Sequence, residues 1–483
     1  MMSNTQSIEA APDLVASSAA KPERMLDGFP WVSAVVLYTL SWGWSLLRPN
    51  TLYADDWSLY FGKSVGNARK VYIQSGRPLW EGLIEMALLR VGTWAICLTT
   101  YILFFVAGVF LFCILKTFST ISYLNLRFIT FVFLSAPVNH ARIALIIFDY
   151  TSAYFVFFLG WFLLVRYRSI MSFVFSWMFL FFSLKTHSLL FFVLLPFSHF
   201  VWLRKSEIFG ATKLFRSKFE AFLIAMMPFV YLILRHIFWP PSSEWESYQQ
   251  PTSAGLMTGL WPVLVGLLGL SVIGFRYIKN KNTHFGVVML VVGFSITALA
   301  LFPYFLAELY VGYAGRPAYI TVFEFRADWR SRHQLLMPLG LALSVVGLNE
   351  LLNWKKKNLF LSMVIVVSVG LNMFWGSQYF LQSHKQEQLV ELFKSTKSKL
   401  VVASVSDSTL RFNGRENIFR GYEWDGFMTL AGIATDRPGC EALPQGSTVV
   451  LKSDKPYLSA LISRDLGLYL DVTPCSEVLA KDS

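Results

Sequence analysis

Two carboxylates stand side by side at Asp55 and Asp56, in the stretch TLYADDWSLY, with Tyr53, Trp57 and Tyr60 around them. A carboxylate beside a hydroxyl can remove its proton as that oxygen attacks, which is general-base chemistry. Two adjacent acids also repel one another, so one pKa can rise toward a value suited to that work. The second acid then orients the first, holds a hydroxylic ligand, or shares a divalent cation through its oxygens. The plain alternative is a solvated loop end, which the pair alone does not rule out.

The elements that must position this pair are overwhelmingly apolar. Of 483 residues, 55% are hydrophobic, 17% aromatic and only 15% charged, and the mean hydropathy is +0.50. A soluble chain carries about a quarter charged residues. Apolar runs of bilayer-crossing length, about 17–25 residues each, recur along nearly the whole chain. The fold class is therefore an all-α polytopic membrane protein. The net charge of +12 does not form one patch. Its lysines and arginines fall in short clusters between apolar runs, which signals topology and no nucleic-acid partner.

Spans are expected near 30–47, 94–115, 121–138, 146–165, 169–184, 188–203, 219–238, 256–275, 285–307, 334–352 and 359–379, eleven in all. Residues 1–29 are polar, with no apolar core before Pro30, and read as a cytoplasmic tail. Alternating sides from that tail puts KTFSTISYLNLR, RYRS, RKSEIFGATKLFRSK, RYIKNKNTH and NWKKKN inside, each net basic. Asp55 and Asp56 then lie in a long external loop, 48–93, and the C-terminus is external too. Such a loop is too long for a connector. Tyr72, Leu79, Leu83, Met86 and Leu89 recur at helix-like spacing, so helices lying in the outer interface are expected there.

Residues 380–483 differ in character and read as a small extramembrane α/β domain. HKQEQLVELFKSTKSKL has the spacing of a short amphipathic helix, and LVVASV and STVVLKS look like strands. Cys440 and Cys475 are the cysteines of that region, and in an oxidising compartment an isolated pair suits a disulfide. Cys97 and Cys113 fall in a span and read as small apolar fillers.

An acidic pair just after the first span, followed by interfacial helices, resembles the GT-C superfamily of membrane glycosyltransferases. Within it, YADDWSLYFGKS…SGRPLWEGL is most similar to the O-antigen glucosyltransferases of the serotype-converting type, whose first loop pairs a D-D motif with a downstream G-R-P stretch. The close match covers the first loop; span number and topology extend it loosely over the rest. The resemblance implies a GT-C-like transmembrane domain over 30–379 with its catalytic loop at 48–93. It implies a hexosyltransferase of the bacterial inner membrane, moving a sugar from a polyprenyl-phosphate carrier to a glycan or glycolipid acceptor. Glucose and the O-antigen of lipopolysaccharide, on the periplasmic face, are the family's expectation. Asp55 is then the base and Asp56 its partner, with the reverse assignment open.

Such a donor leaves as a lipid phosphate, and fixed cations must meet its growing negative charge. Arg77 in SGRPLW, Lys185 in SLKTHS, and Arg330, Arg332 and His333 in ADWRSRHQ are the donor-phosphate candidates. The last cluster enters the tenth span where a head group would sit, and the arginine fork suits phosphate oxygens. Pairing with Glu324 and Asp328, or anchoring to ordinary anionic lipid, explains it equally well. Trp57, His140, Arg142 and Asp149 are the acceptor and sugar candidates. His140 and His187 read more readily as structural. Asp149 opens the fourth span, where it either faces an outer cavity or caps the helix. The other boundary tyrosines and tryptophans fit an interfacial belt.

No phosphate-binding glycine loop, dinucleotide fingerprint, H-E-x-x-H or C-x-x-C occurs, so nucleotide and zinc chemistry have no sequence support. The sequence leaves the cofactor unknown, with a divalent cation on Asp55 and Asp56 open. Two other functions also stay open. A glycolipid transporter or flippase would place its charges in mid-span. An envelope-assembly interaction protein would leave the long first loop unexplained.

Overall fold

The computed structural model describes residues 26–53, 56–57, 73–76, 82–209, 215–242, 263–272, 285–306, 329–352, 357–396, 421–432, 447–453, 457–465 and 467–474. In chain order the main helices are α1 (Trp31–Trp42), α2 (Leu83–Val91), α3 (Thr93–Leu115), α4 (Tyr123–Ser135), α5 (Phe148–Arg166), α6 (Ile170–Ser183), α7 (Leu194–Leu203), α8 (Phe215–Phe238), α9 (Phe285–Leu306), α10 (Met337–Leu351), α11 (Lys357–Thr396) and α12 (Gly421–Leu430). Among the described residues four helical stretches are long and apolar enough to cross a membrane: Thr93–Leu115, Leu145–Arg166, Phe215–Phe238 and Asn358–Ser395. Seven shorter apolar helices of 10–17 residues accompany them.

The helices are inside-out relative to a water-soluble bundle. In α6, Ile170, Met171, Val174, Phe175 and Met178 are exposed, while Ser172, Ser176 and Ser183 are buried. Phe219, Phe222, Phe229, Ile233 and Ile237 of α8 are exposed in the same way. In water that arrangement would forfeit most of the hydrophobic gain. Against hydrocarbon it costs nothing, and small polar residues become the glue between helices. Ser176 Oγ donates to the Gly160 carbonyl at 2.6 Å, joining α6 to α5.

Local chemistry starts two of these helices. Ser122 and Ser169 are extended residues whose hydroxyls accept the Asn125 and Ser172 amides, capping α4 and α6. Glycines set the closest helix contact. On α9 and α10, Gly286, Gly293, Gly340 and Gly347 stand seven apart and face each other. A Cβ on Gly293 would lie 2.5 Å from the Ser344 amide nitrogen, and one on Gly347 2.5 Å from that of Leu290. The backbones touch because no side chain intervenes.

The C-terminal region differs from expectation in one respect. The stretch beginning at His384 is no separate amphipathic helix. It continues α11, which runs 40 residues without a break. No proline follows Lys357 in it, and Gln, Glu, Lys and Leu, all good helix formers, make up most of its last third. At 1.5 Å per residue α11 is about 60 Å long, roughly twice a bilayer's hydrocarbon thickness. The boundary expected at 380 therefore falls inside one helix. Beyond it come α12 and an antiparallel pair, β1 (Ser447–Ser453) and β2 (Leu468–Pro474), in register from Ser447–Pro474 to Ser453–Leu468. The LVVASV stretch and both Cys440 and Cys475 lie outside the described residues. Cys97 and Cys113 are buried free thiols in α3.

Candidate functional site

Asp56 is fully buried, and the reason is visible in its partners. Its Oδ2 accepts the backbone amides of Tyr53 and Leu145, both at 3.0 Å, and its Oδ1 accepts that of Ile146 at 2.9 Å. Leu145 and Ile146 lie in the short turn before α5, where amides have no helical acceptor. The Asp56 amide in turn donates to the Tyr53 carbonyl at 3.0 Å, closing a reciprocal pair. The first loop is thus fastened to the end of the bundle through this carboxylate. Further ties hold the same loop. Gln386 donates to the Leu52 carbonyl at 2.8 Å, and Thr93 to Asn50 Oδ1 at 2.9 Å. Arg235 donates to the Ser75 carbonyl at 3.2 Å, and the Ser242 amide to that of Gln74 at 2.9 Å.

Beside Asp56 lies a cluster of buried charge. Lys185 Nζ meets Asp149 Oδ1 at 3.2 Å and Ser152 Oγ at 2.8 Å, with the two charged side chains 1% and 6% exposed. Glu85, on the inner face of α2 with Met86 and Leu89, hydrogen-bonds Asp149. Burial raises the Glu85 pKa well above the usual carboxylate range; the charges of Asp149 and Asp56 add to this and Lys185 opposes it. In its protonated form Glu85 is the donor in the bond to Asp149. The helix of the first loop is in this way bonded to the start of α5 and to the turn after α6.

A polar layer completes this end of the bundle. The Ala141 amide donates to Ser331 Oγ at 2.8 Å, and that of Asn139 to Gln334 Oε1 at 2.9 Å. His333 Nδ1 is 2.8 Å from Ser188 Oγ, and its ring meets Tyr150 edge-on. Burial, with the charges of Arg332 and His187, lowers the His333 pKa, so its ring is neutral. His140 is buried between Trp42 and Trp375 and bonds Asn372 at 3.1 Å. Burial and the charge of Arg142 bring it down to about 3. The Arg142 guanidinium lies over the Trp42 and Phe104 rings, 3.0 and 4.3 Å from their centroids.

The sequence candidates therefore separate into groups. Asp56, Asp149 and Lys185 come together. Trp57 is also buried: its indole donates to the Leu52 carbonyl at 3.1 Å and its ring meets Phe427 of α12 edge-on. His140 and Arg142 form a neighbouring aromatic nest. His333 and the buried Arg332 belong to the Ser331–Gln334 layer. Arg330 lies in the short turn Trp329–His333. Asp55 and Arg77 lie outside the described residues. Glu85 was missed by sequence reasoning, although an acid in register with Met86 and Leu89 on the apolar side of GLIEMALL is a readable signal.

No family model, curated protein or solved structure matches this chain.

Proposed function

We propose that the chain is a polytopic membrane glycosyltransferase that moves a hexosyl group, with glucose as the first candidate, from a polyprenyl-phosphate carrier to a cell-surface glycan such as the O-antigen of lipopolysaccharide. In this reading all eleven apolar segments cross a bacterial inner membrane. The N-terminus is cytoplasmic, and the far end of α11 together with the chain beyond it forms a small periplasmic α/β domain. The observation that carries the reading is the anchoring of Asp56 to Leu145 and Ile146, which holds the acid-pair loop against the bundle end that also bears Glu85, Asp149 and Lys185.

The roles follow from the bonds. Asp56 already accepts three amides, so it suits positioning, and the base role falls to its neighbour Asp55. Asp55 would take the proton of an acceptor hydroxyl as its oxygen bonds to the anomeric carbon. The bond from that carbon to the phosphate oxygen breaks, and the lipid phosphate leaves with the electron pair. Lys185 is engaged with Asp149; Arg77, Arg330 and Arg332 are the candidates to meet that phosphate, the arginine fork suiting its oxygens. A transport function gains no support, since these buried charges gather at one end of the bundle among the described residues.

The test is transfer from radiolabelled polyprenyl-phosphate glucose to lipopolysaccharide in membranes containing wild type or Asp55→Asn, at matched protein levels. Incorporation by wild type and its loss in Asp55→Asn support the reading. Full activity in Asp55→Asn removes the proposed base, and no activity in wild type rejects this donor and acceptor pair.

A further inference from the structure

A cavity of about 750 Å³ opens between the first loop and the part of α11 that extends past the bilayer length. That volume falls within the range typical of sites for small organic ligands, about 300–1,000 Å³. One wall is the chain from Leu47 to Leu52, immediately before the acid pair. The opposite wall is a single helix face. Ser383, Gln386, Glu387, Val390, Glu391 and Lys394 recur at three- and four-residue intervals along α11.

The lining chemistry narrows what would fit. Arg48 and Lys394 bring two positive charges, and Glu387 and Glu391 two negative ones. Arg48 and Glu387 are themselves paired at 2.5 Å, and Arg48 also bonds His384. The charges cancel, so the walls do not select an anion such as a lipid phosphate. The walls instead offer both donors and acceptors, including the groups of the Asn50 and Gln386 amides not used in the bonds to Thr93 and Leu52. Pro49, Val390 and Leu430 supply apolar surface between the polar groups. A ligand presenting many hydroxyls and intervening C–H faces, with no net charge, matches such a lining. α11 is roughly twice as long as a bilayer's hydrocarbon is thick, which gives room for such a site outside it.

We infer that this cavity binds the neutral glycan acceptor, with the outer face of α11 as its reading surface. The inference rests on the transferase reading for the word acceptor and on the cavity alone for the class of ligand. The two are separable by measuring binding without turnover. Full-length protein in lipid nanodiscs is titrated with a neutral, lipid-free O-polysaccharide released from smooth lipopolysaccharide, and in parallel with an acidic polysaccharide. The variants are Val390→Trp, which puts an indole into the cavity and obstructs part of it, and Glu391→Ala, which removes an exposed hydrogen-bonding group without burying anything. Wild type is expected to hold the neutral polymer in preference to the acidic one. Each variant should weaken it about tenfold, the loss expected for one charged hydrogen bond or a blocked subsite. Absence of binding by wild type, equal binding of the acidic polymer, or unchanged affinity in both variants overturns the inference. Binding that follows this pattern in a protein without transferase activity keeps the cavity assignment and rejects the transferase reading.

Discussion

Lys185 and Asp149 form an ion pair whose charged groups are almost wholly removed from solvent, at the point where α5 begins and the turn after α6 ends. Removing two charges from water is expensive, and such a pair holds only while both members are present. Lys185→Met takes the ammonium away from Asp149, which stays buried beside Glu85 and Asp56. That change is expected to destabilise the fold by about 3–5 kcal/mol, the usual cost of breaking a buried pair. Lys185→Met with Asp149→Asn should recover much of the loss, because neither charge then remains unpaired. Thermal unfolding in detergent reads both effects; a double variant no more stable than Lys185→Met would show that the pair is not the source of the stability.

Glu85 gives the same cluster a pH dependence, and its sign can be worked out. Burial raises its folded-state pKa well above the ordinary 4.5. The folded protein therefore binds the Glu85 proton more tightly than the unfolded chain does. The resulting stability is complete below the unfolded pKa and is lost as pH rises through the folded one. Among the described residues Asp149, Asp56 and Lys185 are charged groups that face it. Glu85→Gln keeps a hydrogen-bond donor toward Asp149 and has no proton to lose. Its melting temperature is expected to fall less steeply than that of wild type as pH increases above 5. Parallel curves for the two proteins would dismiss Glu85 as the titrating group.

What the sequence disclosed and what it withheld follow from the range of the interactions involved. Helix positions were legible in part because apolar run length is a local property, as in Thr93–Leu115, where a span was expected at 94–115. The continuity of α11 was not: a drop in hydropathy near Tyr379 does not mark where hydrogen bonding along the helix ends. At the site, Asp56 stood out by its neighbour in sequence. Its actual partners, Leu145 and Ile146, lie some ninety positions on. Lys185 read as a free outer cation because its partner is 36 positions away on another helix. Glu85 was hidden by the apolar company that makes it interesting.

Asp55 and Asp56 should behave differently when each is made neutral. Asp56→Asn presents an NH2 group to a site built from amide donors, so at least one of its three bonds is lost. The first loop is expected to loosen from Leu145 and Ile146, and limited proteolysis should cut it sooner than in wild type. Asp55→Asn should lose transfer activity by about 10²–10⁴-fold, as removal of a general base does, with wild-type protease resistance. Equal protease sensitivity in the two variants would merge their roles. Retained transfer in Asp55→Asn would move the base elsewhere.

The glycine seam between α9 and α10 provides a test of the bundle itself, independent of any chemistry. A methyl group at Gly347 would meet the Leu290 backbone nitrogen at 2.5 Å, a contact that no side-chain rotation relieves. One at Gly370, within α11, would meet nothing within 4 Å. Gly347→Ala must therefore push the two helices apart and lose close contact along the seam, at a cost typical of overpacking, about 1–3 kcal/mol. Gly370→Ala should be neutral or stabilise the helix by about 0.5–1 kcal/mol through the helix preference of alanine alone. The two proteins differ from wild type by the same methyl group, so composition cannot explain a difference between them. A lower melting temperature for Gly347→Ala and none for Gly370→Ala would establish that the α9–α10 backbones meet as closely as described. Equal behaviour would mean that the helices stand further apart.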